Sequence, residues 1–181
     1  MRVLSRSTCV ALALAIGCGS AGEVDAGTSE AAPRAAEFRS ARVDAMLESV
    51  SRVVRTRGFA AEGDAWRGFL LEQGTELQAS PLRTGSCYVI AGVGSSAMRE
   101  LDVRVFDGDG AEVARDGEQG PVAVVRFCPA QNATYYVATR AAAGSGLYAT
   151  RAFRGPAGLP LRVDDVLRAV APATPARRDP G

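Results

Sequence analysis

From Gly58 onward the chain changes rhythm. Apolar residues recur at every second position in short runs, and Gly, Asp, Asn and Pro separate the runs. Leu101, Val103 and Val105 alternate with Asp102 and Arg104, as in a strand with one buried face. Similar runs occupy 67–73, 75–79, 87–91, 101–106, 111–114, 122–128, 134–140 and 147–153. A parallel crossover needs about 10 residues or more, usually a helix, and no separator carries a helical pattern. The pairing must therefore be antiparallel. The expected fold is mainly β: an antiparallel, jelly-roll-like β-sandwich over 58–154. Gly108-Asp109-Gly110 fits a tight hairpin turn within it.

Before the sandwich the period is helical. Val43, Met46, Leu47, Val50, Val53 and Val54 follow i, i+3, i+4 spacing, while Arg39, Arg42, Glu48, Arg52 and Arg55 point away. This predicts one N-terminal amphipathic helix over 34–57, stopped by Gly58. A lone helix of this length is marginal in water, so its stripe is expected to pack on the sandwich. The segment 155–181 is read as a short helix near 161–170, ended by Pro172 and Pro175, and a disordered tail.

The first residues read as an export signal. Arg2 and Arg6 precede a short apolar run, Val10 to Ile16, and Gly17-Cys18 closes it. The run is too short to span a bilayer, which needs about 20 apolar residues. A small residue before a cysteine is the pattern of a lipoprotein signal. Residues 1–17 are therefore expected to be removed and Cys18 to be lipidated, with two or three acyl chains fixing the protein to a membrane. Gly19 after the cysteine, where an Asp is lacking, favours the outer membrane of a bacterial envelope. Residues 18–33 are small, polar and acidic, and read as a flexible tether.

Four cysteines are present. Cys9 leaves with the signal and Cys18 takes the lipid. Cys87 and Cys128 remain as a pair in an oxidising compartment, so a disulfide is predicted. Two cysteines without histidine make a poor zinc site.

The absences narrow the chemistry. The chain has no His and no Lys; all 21 basic residues are Arg. This removes imidazole bases, serine triads, Schiff bases and the phosphate-binding lysine of nucleotide loops. The formal charge is +1, and loss of Arg2 and Arg6 makes it slightly negative, which does not suit nucleic acid. Val89 to Ala97 places glycines after a strand, as a dinucleotide loop does. Only Met98 to Glu100 precede the next run, so it is read as an inter-strand loop, and no cofactor is expected.

Asp102, Asp107, Asp109 and Asp116 surround one hairpin. They are the candidates for calcium, but Asp and Gly are also what such a turn requires, and no metal is expected. A carboxylate pair working as in a glycosidase is the chemical alternative, with no catalytic residue assigned. Among the aromatics, Tyr135 and Tyr136 are chain neighbours and must face opposite sides of a strand, so one of them is expected at the surface.

Three stretches carry a family likeness. They are Leu82-Arg83-Thr84-Gly85 leading into Cys87-Tyr88-Val89, the run Glu100 to Asp107 with Gly110, and Tyr135-Tyr136-Val137. Through them 58–154 resembles the bacterial pre-peptidase C-terminal domain, a jelly-roll-like sandwich. Asn132-Ala133-Thr134 stands where that family usually has Gly, and the cysteine pair is not a general family feature. No protease accompanies the module here, so the resemblance implies a non-catalytic envelope module, not a protease accessory. The expected function is that of an exported, lipid-anchored module binding an envelope protein or a glycan. A carboxylate-dependent hydrolase and a structural surface protein without a ligand are the alternatives.

Overall fold

The computed structural model describes residues 31–170. The predicted signal, Cys18 and the tail from Ala171 lie outside the described residues, as does the tether up to Glu30. The first helix, α1, spans Ala31–Thr56, so 31–33 belong to it and not to the tether. Eight strands follow: β1 (Ala60–Leu70), β2 (Thr75–Leu82), β3 (Ser86–Gly94), β4 (Met98–Phe106), β5 (Glu112–Arg115), β6 (Val122–Phe127), β7 (Ala133–Gly144) and β8 (Gly146–Pro156). A short helix, α2 (Val163–Val170), comes last.

The strands form two four-stranded antiparallel sheets, ordered β1-β8-β3-β6 and β2-β7-β4-β5. The pairs β1·β8, β2·β7, β3·β6 and β4·β5 are those of one long ribbon folded over on itself, which is the jelly-roll arrangement. The inner faces meet in a core of Leu82, Tyr88, Ile90, Val103, Val105, Val125, Tyr135 and Val137.

The inner strands of the first sheet, β3 and most of β8, are buried on both faces, while edge strand β1 is largely exposed. Along β3, Tyr88 and Ile90 point to the second sheet, while Cys87, Val89, Ala91 and Val93 point to the helices. This explains why β3 is apolar without interruption where β4 alternates. Against that outer face α1 lays Val43, Leu47, Val50 and Val54, and α2 adds Val166. Ser51 sits within the stripe, fully buried; its hydroxyl donates to the Leu47 carbonyl at 2.6 Å and is thereby satisfied.

Gly58 ends α1 as the sequence predicts. At φ +87° it occupies the left-handed region. Its N–H donates to the Arg55 carbonyl at 3.0 Å, and that of Phe59 to the Val54 carbonyl at 3.4 Å. These two bonds make a Schellman cap, with Phe59 and Val54 both in the core beneath it.

Most strands run longer than the sequence reading, and three of the differences have a local cause. β1 begins at Ala60, not at 67, because its register slips between Glu62 and Trp66 and Gly63 takes φ +69°. An irregularity of this kind breaks the two-residue period from which strands are read. β4 begins at Met98 for the same reason, with register shifts on either side of Glu100. Third, Gly92 to Gly94 are strand, not loop. A Cβ at Gly92 would lie 3.0 Å from Leu101 Cδ2 and Val103 Cγ2 of the facing sheet. The glycine serves close approach between the sheets, not ligand binding.

The disulfide between Cys87 and Cys128 is present, with the Cα atoms 4.1 Å apart. It ties β3 to the end of β6, the edge strand of the first sheet, so it joins neighbouring strands and not the two sheets.

Candidate functional site

The carboxylates of the β4–β5 region serve four separate purposes. Asp107 accepts the N–H groups of Asp109 at 3.0 Å and Ala111 at 2.8 Å, which closes the hairpin turn. Asp109 projects at the exposed tip. Asp102 pairs with Arg104 at 3.3 Å on the outer face of the second sheet, and Arg104 also reaches Glu112 at 3.4 Å. Asp116 accepts the N–H of Val124 at 3.2 Å, and the backbone N–H of Glu118 also favours its charged form. Burial raises its pKa to about 6, with smaller contributions from the charges of Asp102 and Glu118, while the two backbone bonds oppose the rise. Its Oδ2 is buried without a partner. Among the described residues no three Asp, Glu or Cys side chains gather as a bound metal would require.

Asp116 has its pKa raised toward neutrality, yet its geometry is that of a loop anchor. Both oxygens are directed into the protein, and it lines neither the cleft beside Arg67 and Tyr148 nor the one between α1 and α2. The arrangement brings no pair of carboxylates to a cleft, which is what acid–base hydrolysis needs.

What the fold does display is a face. The first sheet is covered by helices; the second presents its outer face uncovered among the described residues. The register places Tyr136 between Ala79 on β2 and Phe106 on β4. It places Ala138 between Leu77 and Arg104 in the next row. Leu77 is 62 % exposed, Tyr136 40 % and Val113 39 %, while Phe106 is half-buried. Tyr135 is 3 % exposed and meets Phe127 edge to face at 5.1 Å in the core. The two neighbouring tyrosines thus divide between core and surface as strand geometry demands, and Tyr136 is the outer one.

The rim of this patch is charged. Arg140 lies beside Asp102 across β7 and β4, and also donates to the Gln73 side chain. Arg104 is shared by Asp102 and Glu112. An apolar centre with a rim of paired charges is the anatomy of a recognition surface. Leu77 and Val113 carry no motif, and the sequence reading passed them over. The signal that finds them is the register, which sets four separate strands side by side.

A scan against protein-family models finds no match for this chain, and neither does a search of curated proteins.

Proposed function

We propose that this chain is a non-catalytic exported lipoprotein, held in a bacterial outer membrane through Cys18, whose sandwich binds another envelope protein through the outer face of the β2-β7-β4-β5 sheet. The observation that carries this is the uncovered patch around the neighbours Tyr136 and Phe106, with Leu77 in the adjoining row and Val113 exposed on edge strand β5. Exposed aliphatic side chains gain most from an apolar protein partner, and an aromatic centre with arginines at the rim is the usual composition of a binding hot spot. The pairing of Asp102 with Arg104 and the inward bonds of Asp116 weigh against the hydrolase alternative. The likeness to the pre-peptidase C-terminal sandwich supports a module without chemistry of its own.

A glycan is the second reading, favoured by the cross-strand pair Tyr136 and Phe106, because sugar rings stack on aromatic faces. Crosslinking in intact cells followed by co-purification separates the two. A protein partner should be recovered reproducibly with the natural chain and lost with Leu77→Glu. Retention by polysaccharide, lost in Tyr136→Ala and unchanged in Leu77→Glu, would indicate the glycan. Recovery of the same partner by every face variant would overturn this assignment of the surface. Mass spectrometry of the membrane fraction tests the anchor: the mature chain should begin at Cys18 with added acyl mass.

A further inference from the structure

A second concavity lies on the helix-covered side of the molecule, away from the outer sheet face. It has a volume of about 540 Å³ and opens between α1, α2, the β3–β4 turn and the loop leading into β6. That volume falls within the range of small-ligand sites, about 300–1,000 Å³. Its apolar lining is Met46 from α1, Val122 from β6, and Leu167 and Val170 from α2, all half-buried. These side chains touch the core on one side and face the cleft on the other.

Two charges share the lining. Arg42 stands one helical turn before Met46, on the same face of α1. Glu118 comes from the loop wall. No ion pair joins them; both are exposed to solvent, and the Glu118 carboxylate also lies within electrostatic reach of Asp116. The loop wall is held firmly even though 116–121 are not strand. Asp116 accepts the N–H of Val124 at 3.2 Å. The Gly120 carbonyl accepts from Leu101 N–H at 2.9 Å, and the Pro121 carbonyl from Gly94 N–H at 2.7 Å. Glu118 therefore sits on a wall fixed before any ligand arrives, which lowers the ordering cost of binding.

We propose that this cleft binds a small zwitterion with an apolar body, such as a short apolar peptide, its carboxylate on Arg42 and its ammonium on Glu118. A simple amphiphilic anion would satisfy Arg42 but leave Glu118 against an apolar tail. A neutral apolar molecule would leave both charges to water. A molecule bearing both signs at the ends of an apolar body complements the apolar lining and the two charges together.

The test is calorimetric titration of the folded chain with leucyl-leucine, up to about 10 mM, since a 1 mM dissociation constant corresponds to about −4 kcal/mol. Saturable binding is expected. Arg42→Gln and Glu118→Gln should each weaken it about two- to fivefold, the scale of a solvent-accessible ion pair. The capped neutral analogue, acetyl-leucyl-leucine amide, should bind more weakly than the free dipeptide. Ser96→Trp, a substitution at an exposed lining position, should fill the mouth and abolish binding without disturbing the core. Absence of saturable binding, or equal affinity in either charge variant or for the capped analogue, would overturn the proposal. The outer-face variant Leu77→Glu should leave this binding unchanged, which keeps the two sites distinguishable.

Discussion

Thr139 on β7 and Thr150 on β8 meet hydroxyl to hydroxyl across the sandwich, 3.1 Å apart and both buried. One strand belongs to each sheet, so this bond crosses the interior between them. Replacing one partner leaves the other hydroxyl buried with its partner gone, at a cost of about 1–3 kcal/mol. Thr150→Val alone and Thr139→Val alone should each destabilise by that amount. The double valine variant should lose less than the sum of the two. Urea unfolding of all four proteins measures the coupling directly, and strict additivity would mean the bond contributes nothing.

Removal of the disulfide should cost about 2–5 kcal/mol, because the reduced chain regains the freedom of a loop closed between residues 41 positions apart and the end of edge strand β6 is released. The Cys87→Ala, Cys128→Ala double variant, compared with the oxidised protein by thermal unfolding, checks this. Alkylation without reductant should label neither Cys87 nor Cys128.

The helix is held by its stripe. Leu47→Ala should destabilise by about 2–5 kcal/mol, since Leu47 is buried between α1 and the first sheet. Arg52→Ala, on the exposed side, should change stability by no more than about 0.5 kcal/mol. Comparable losses from both would mean that the helix does not dock through this face.

Asp116 gives a pH signature of known sign. Its folded pKa of about 6 lies above the ordinary 3.8, so the folded state holds this proton more tightly than the unfolded chain does. The resulting stabilisation is complete below about pH 4 and is lost as pH rises through 6. Asp116→Asn cannot ionise. Relative to that variant, the natural protein should lose stability between pH 4 and pH 6 and remain level above about pH 7. Urea midpoints for the two proteins at several pH values give the difference, in which the other carboxylates largely cancel. A difference independent of pH would mean that burial does not perturb this group.

Strand existence was legible in the sequence, and strand extent was not. All eight runs became strands because alternation reports directly which face of a strand is wet. The stretch 60–66 of β1 was hidden because its irregular register destroys that alternation. Gly92 and Gly94 looked like loop residues, since a glycine in a sequence does not say whether it serves a turn or makes room for another side chain. Only the facing Leu101 and Val103 decide that for Gly92.

The sequence by itself determined the antiparallel sandwich, the amphipathic helix with its glycine cap, and the cysteine pair. Each rests on local periodicity, backbone permissiveness or composition. The tertiary structure alone decided which strands are neighbours. It thereby placed Leu77, Tyr136, Phe106 and Val113 on one outer face and assigned the disulfide to neighbouring strands of one sheet. It also brought Arg42 and Glu118, 76 positions apart by their numbering, into the lining of one cleft. Contacts between residues distant in sequence depend on how layers stack and ribbons fold over, and no short-range pattern encodes them.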